Sequence, residues 1–160
     1  MSEPDPARTE AHLRRRLAEF RVPSEPGNER MAMERVAEAL SEVEIGGESL
    51  ERLKTAVAEA TMNAMQHGNH YRAEVPVEVE VFVVDRDLRV RITDSGSGPP
   101  PEEAGDVPDL VAKLEGIQTP RGWGLFLIKS MVDDMEVTGD EHHHTVELIV
   151  HLDGRAEGGT

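Results

Sequence analysis

The sequence predicts a two-layer α/β sandwich: a mostly antiparallel mixed sheet with three helices on one face. Four observations carry that reading. Val75, Val77, Val79, Val81 and Val83 alternate with other residues, as a strand with one strongly apolar face requires. Leu88, Val90 and Ile92 continue the alternation against Arg89, Arg91 and Thr93 after Asp85-Arg86-Asp87, which gives an antiparallel partner. Leu50, Leu53, Val57, Ala60 and Ala64 recur at spacings of three and four, the buried stripe of a helix. Glu78, Glu80, Arg89, Arg91 and Glu147 fall on alternate strand positions, so one sheet face is wet and helices cover the other.

The elements follow in order. Residues 1–12 are polar with two prolines and read as a flexible tail. Over Arg14 to Val22 two patterns compete: Leu13, Leu17 and Phe20 at helical spacing, and Ala18, Phe20 and Val22 alternating. A short strand is the favoured reading. SEPGN (24–28) is turn chemistry, and Met33, Val36, Ala37, Leu40 and Val43 mark a helix that Gly46-Gly47 ends. Ser49 is the expected N-cap of the central helix, which runs to about Gly68. A strand over 74–84, a tight turn and a strand ending at Asp94 come next. The connection to Arg121 is long enough for a lid or binding loop, with a short helical turn in 108–115. Leu125, Ile128, Met131 and Val132 mark the third helix. Met135 to Thr138 reads as a strand, GDEHHH (139–144) as a turn, and Val146, Leu148, Val150 and Leu152 as the last strand. One domain over 13–153 is expected, with a second flexible tail at 154–160.

Composition narrows the function. Lys and Arg number 17 and Asp and Glu 32, a formal charge of −15. Nucleic acid and anionic membranes would be repelled, whereas a small anion held by backbone donors would not. With no cysteine there is no disulfide, thiol nucleophile or thiolate metal site. MSEPDPARTE lacks a secretory pattern and no window approaches the roughly 20 apolar residues of a membrane span, so a cytoplasmic protein is expected.

The chemistry concentrates at three places. Glu59 and Asn63 lie four residues apart, stacked on one helical face beside the apolar stripe. Taken alone they also fit an ordinary polar helix surface. The second place is DSGSG, which closes a strand. Gly96 and Gly98 let a ligand approach the main chain, and Asp94 can accept hydrogen bonds from an amino group. The third is Gly122 and Gly124 at the start of a helix, where free N–H groups and the dipole favour an anion, with Arg121 adding charge. Turn material and a plain loop-to-helix junction are the alternatives for these two. GxxxxGK[ST], a completed GxGxxG and HExxH are all absent. His142-His143-His144 reads as an exposed polar turn rather than a metal site, and Met31, Met33, Met62 and Met65 read as core filling.

In this order and context the pieces resemble a known set of motifs. EATMNAMQHG (59–68) resembles the N box, DSGSG the first glycine box and RGWGL the second glycine box of the Bergerat-fold, histidine-kinase-like ATPase superfamily, which includes gyrase, histidine kinases and MutL. Within it, RGWGLFLIKSMVDDMEV and FRVPSEPGNERMAMERVAEAL look most like the anti-sigma factor serine kinases, a likeness covering roughly residues 15–152. Pro99-Pro100-Pro101 departs from that pattern, which usually has an apolar residue there.

The resemblance implies ATP and Mg²⁺ as cofactors. Asn63 would coordinate Mg²⁺ and Glu59 would act as general base. Asp94 would receive the adenine amino group, with Gly96 and Gly98 shaping that wall. Gly122 and Gly124 would present N–H groups to the phosphates, and residues 99–120 would form the lid. Apart from the resemblance, the charge of Arg121 beside the second glycine pair places it near the phosphates, and His67, four residues after Asn63, either lines the nucleotide site or caps or packs the helix end. It further implies a protein-serine kinase that binds a sigma factor and phosphorylates a STAS-type anti-anti-sigma protein, with homodimerisation left open. The alternative is a nucleotide-gated protein-binding module without phosphate transfer. The catalytic half of a histidine kinase ranks below both.

Overall fold

The alternating segments become a single sheet. In the computed structural model, which describes residues 14–96 and 121–152, the strands are β1 (Arg14–Val22), β2 (Val77–Val84), β3 (Asp87–Asp94), β4 (Asp134–Gly139) and β5 (His144–His151). Their order is β1-β2-β3-β5-β4, and each neighbouring pair is antiparallel. The mixed sheet expected from sequence is therefore purely antiparallel among the described residues. Helices α1 (Asn28–Ala39), α2 (Gly47–Asn63) and α3 (Arg121–Met131) complete the fold, with α2 packed against both others.

The inward rows are apolar: Val77, Val79 and Val81 on β2, Leu88, Val90 and Ile92 on β3, Leu148 and Val150 on β5. Against them pack Val36 from α1, Leu53, Val57 and Ala60 from α2, and Leu125 and Ile128 from α3. Each fully buried Val, Leu or Ile contributes about 1.5–3 kcal/mol, so this face supplies most of the drive to fold. Met65 joins the core, whereas Met31 is exposed, which corrects the expectation for that residue.

Several boundaries move for identifiable reasons. β1 is a strand, with a bulge between Arg16 and Ala18 that leaves Phe20 and Val22 facing the core. α1 stops at Ala39, short of Val43, because Ser41 and Val43 donate to Glu38 and Leu40, tightening the chain into turns. The N-cap of α2 is Gly46 rather than Ser49, since the Leu50 N–H closes the first turn on the Gly46 carbonyl at 2.8 Å. β2 starts at Val77 instead of 74. Pro76 has no N–H to give a ladder, and the Val75 carbonyl is taken by Ser24 and Asn69. Asp87 already pairs with Val84, so the hairpin turn is only Asp85-Arg86, with Asp85 at φ 57°.

The histidine run is split rather than wholly a turn. Asp140 accepts the N–H groups of His142 and His143 at 2.7 and 2.8 Å, which holds its carboxyl below the ordinary range. His144 is instead the first residue of β5 and is buried.

The outward face is less simply wet than its charges suggest. Phe82 and Ile149 lie in its rows and are buried. Arg14 and Arg91 stack on the Phe82 ring at 3.9 and 5.0 Å. Glu80 pairs with Arg14, Arg16 and Arg91 at 3.0, 3.1 and 3.4 Å, and Glu147 with Arg91 at 2.9 Å and with Arg89. The Glu147 bond raises the Arg89 guanidinium above its usual value. This ionic ladder ties four strands together. Glu147→Ala removes the acceptor shared by two arginines, and urea denaturation should show a loss of about 1.5–3 kcal/mol. A loss below about 0.5 kcal/mol would make the ladder an ordinary solvated surface.

Candidate functional site at the end of the central helix

The apolar stripe orients α2 so that Glu59 is half-buried and Asn63 almost fully buried. The Asn63 Nδ2 has no hydrogen-bond partner among the described residues. Leaving a buried amide donor unmade costs about 1–3 kcal/mol, so a ligand acceptor is the natural complement. An amide also carries an oxygen that a hard cation accepts as a ligand. Among the described residues no cluster of three His, Cys, Asp or Glu could hold an ion.

Past Asn63 the helix changes its winding. Ala64–Gly68 forms a π-turn, with the Asn69 N–H reaching the Ala64 carbonyl at 2.9 Å. One extra residue in the turn redirects the chain toward the end of β3. Gly68 then lies flat against Asp94: a Cβ on Gly68 would stand 2.1 Å from Asp94 Cγ. Only glycine fits there. The Gly96 N–H donates to Asp94 Oδ1 at 2.7 Å, and a Cβ on Gly96 would stand 3.1 Å from the Gly68 Cα. The end of the N-box segment and the first glycine turn are therefore in direct contact around a buried carboxylate.

Asn69 is a residue that sequence reasoning missed. It is completely buried, and its carboxamide oxygen accepts the Ser95 N–H at 2.8 Å. Its Nδ2 donates to Ser24 Oγ at 3.0 Å and to the carbonyls of Val75 at 3.0 Å and Pro76 at 3.3 Å. One side chain thus fastens the β1–α1 junction, the approach to β2 and the glycine turn. His70 and Tyr71, at φ 53° and 55°, hold the left-handed backbone that follows. An Asn after a His-Gly pair marks a turn in sequence, but nothing local says which segments it joins.

His144 is the second omission. Its Nδ1 is 3.4 Å from Asp94 Oδ1, and the two residues are directly paired across β3 and β5. Here a signal existed, because 144 is in phase with the inward Val146, Leu148 and Val150. Of the remaining expected residues, His67 is half-buried within the π-turn, and Arg121, Gly122 and Gly124 form the start of α3. Gly98 and the lid over 99–120 lie outside the described residues. A hollow lined by Ser49, Arg52, Ser130 and Asp133 sits at the opposite end of α2, about 20 Å from Asn63 by helical rise, and contains none of these groups.

The family model for the histidine kinase-like ATPase domain matches residues 22–150. An anti-sigma F factor from Clostridium botulinum (strain Eklund 17B / Type B) is 25% identical over 128 residues, covering 76% of this chain and 84% of that protein. An anti-sigma F factor from Bacillus licheniformis is 29% identical over 126 residues, covering 78% and 85%. The serine-protein kinase RsbW of Listeria monocytogenes serotype 4a (strain HCC23) is 32% identical over 98 residues, covering 59% and 61%. Among solved structures, the RsbU and RsbW domains of a Mycobacterium tuberculosis protein align with a TM-score of 0.61 at 16% identity, over 84% of this chain and 32% of that one. The SiaB–SiaC complex of Pseudomonas aeruginosa aligns with a TM-score of 0.58 at 12% identity, over 93% of this chain and 100% of that one. These last two likenesses speak to the fold alone.

Asn69→Ala should lower stability by about 2–3 kcal/mol, because it leaves the Ser95 N–H without its acceptor. Amide exchange at Ser95 and Gly96 should speed up more than exchange in β2 and β3. Equal acceleration everywhere would show that Asn69 does not hold the glycine turn in particular.

Proposed function

The chain belongs to the histidine kinase-like ATPase domain family, and from that premise we propose that it is an ATP-dependent protein-serine kinase and anti-sigma factor. It would hold a sigma factor until a STAS-type anti-anti-sigma protein competes for it, and phosphorylate a serine of that competitor to restore capture, acting in the cytoplasm. The observation that carries the reading is the buried Asp94 carboxylate, clamped between Gly68 and Gly96, together with the unpartnered Nδ2 of Asn63, which precedes Gly68 by one π-turn along the chain. A carboxylate recognises an exocyclic amino group, and an amide one helical region away suits a phosphate chain and its cation. The names of the relatives, anti-sigma F factor and serine-protein kinase, support the partner and the reaction.

The chain's own groups divide the work. Asp94 accepts the adenine amino group, with Gly96 and Gly98 as the wall beside it. Gly122 and Gly124 give N–H groups to the phosphates, with Arg121 nearby and His67 lining the site. Asn63 would hold Mg²⁺ through its amide oxygen, and that ion would supply charge neutralisation to the phosphates. Glu59, half-buried one turn before Asn63, takes the proton of the attacking serine hydroxyl. As the serine oxygen bonds to the γ-phosphorus, the bond to the β–γ bridging oxygen breaks and ADP leaves.

Incubation with ATP, Mg²⁺ and a STAS-type antagonist should label a serine. Glu59→Gln should slow that transfer by about 10²–10⁴-fold while leaving nucleotide affinity near its original value. Unchanged transfer would remove Glu59 from the mechanism. Nucleotide binding without transfer to any such antagonist would favour a nucleotide-gated binding module instead. Gly68→Ala must displace the Asp94 carboxylate, and titration calorimetry should show at least about a tenfold loss of ADP affinity. Undiminished affinity would place the base elsewhere.

A further inference from the structure

We infer that His144 is a positioning residue for Asp94 and that the pair together sets the preference for an amino-bearing purine over its 6-oxo counterpart. The inference rests on the nucleotide reading given above and adds a residue to its base-recognition site.

The inward rows of the two central strands show why the pair stands out. On β3 the row is Leu88, Val90, Ile92 and Asp94; on β5 it is His144, Val146, Leu148 and Val150. Both rows are apolar except at one end: Asp94 closes the β3 row and His144 opens the β5 row, and the two sit opposite each other. Asp94 and His144 are 4% and 5% exposed, so both polar groups are removed from water. A buried carboxylate needs polar neighbours to offset its lost hydration.

The arrangement also fixes the rotation of that carboxylate. Gly68 lies against its face, with only glycine able to fit. The Gly96 N–H holds Oδ1 at 2.7 Å, and His144 Nδ1 stands 3.4 Å from the same oxygen, in polar contact but outside hydrogen-bond geometry. The imidazole also abuts the glycine turn, for a Cβ on Gly96 would stand 2.9 Å from His144 Nδ1. The ring therefore borders both the carboxylate and the backbone that shapes the base wall. A carboxylate fixed in rotation presents its acceptor lone pairs in one direction. That suits an amino group and opposes a 6-oxo oxygen, because two acceptors would face each other without a proton between them.

Inosine diphosphate differs from ADP at this position, with oxygen in place of the amino group, and so isolates it. On the full chain with Mg²⁺, calorimetric affinities for ADP and inosine diphosphate are compared for the unaltered protein, His144→Phe and His144→Asn. The unaltered protein should favour ADP by about tenfold or more. His144→Phe fills the space without a polar atom and should lose most of that ratio through weaker ADP binding, with inosine diphosphate little changed. His144→Asn restores an amide near the Nδ1 position and should recover the ratio. If His144→Phe does not fold, His144→Ala carries the same expectation. A ratio unmoved by the variants, or equal weakening of both nucleotides, overturns the positioning role while the nucleotide reading stands. An unaltered protein that binds neither nucleotide overturns the nucleotide reading itself, and this inference falls with it.

Discussion

The burial of the Asp94 carboxylate is the constraint on which the rest of the site depends. A charged group at the end of an apolar strand row is stable only if the surrounding chain supplies donors and room. The Gly96 N–H and the His144 ring supply polar contact, and Gly68 supplies room by having no side chain. Each condition falls on a different segment, so one carboxylate specifies how the helix end, the glycine turn and the start of β5 meet. The π-turn follows from this. A regular α-helix continued through residue 68 would aim the chain about 100° away per residue displaced, whereas one added residue brings Gly68 to the end of β3.

Asn69 converts that meeting into a fixed joint. Its Nδ2 satisfies the carbonyls of Val75 and Pro76 ahead of β2, where Pro76 has no N–H for a ladder, and reaches Ser24, while its oxygen holds the Ser95 N–H. The same carboxamide therefore explains a late strand start and an ordered glycine turn. The left-handed backbone at His70 and Tyr71 is tolerated because the Tyr71 N–H is held by Met65 at 2.7 Å. Backbone of this kind belongs to a segment whose shape is over-determined by its partners.

The sheet serves as the rigid base for this joint. Its inner face anchors α2 through Leu53, Val57 and Ala60, which sets the helix's rotation and leaves Glu59 and Asn63 at the margin of the core. Its outer face is stiffened by the carboxylates of Glu80 and Glu147 shared among arginines, with Phe82 covered by guanidinium planes. Charge that looks in sequence like simple solvation is, in the fold, a lateral tie between strands.

What the sequence determined by itself was whatever repeats locally. Valine alternation named β2, the Leu88-Val90-Ile92 pattern named β3, and the three-four spacing from Leu53 to Ala64 named the central helix and the face bearing Glu59 and Asn63. Motif resemblance carried the candidate site to Asp94, Gly96 and the turn at Gly122. The tertiary structure alone decided that Val75 belongs to Asn69 and Ser24 rather than to a strand, that Gly68 must be bare because Asp94 lies on it, and that His144 turns inward beside that carboxylate. The division has a physical cause. Backbone geometry imposes periods of two and 3.6 residues on any short window. The identity of a partner 26 or 45 residues away along the chain, as for Ser95 and Ser24 with Asn69, is set only when the whole core closes.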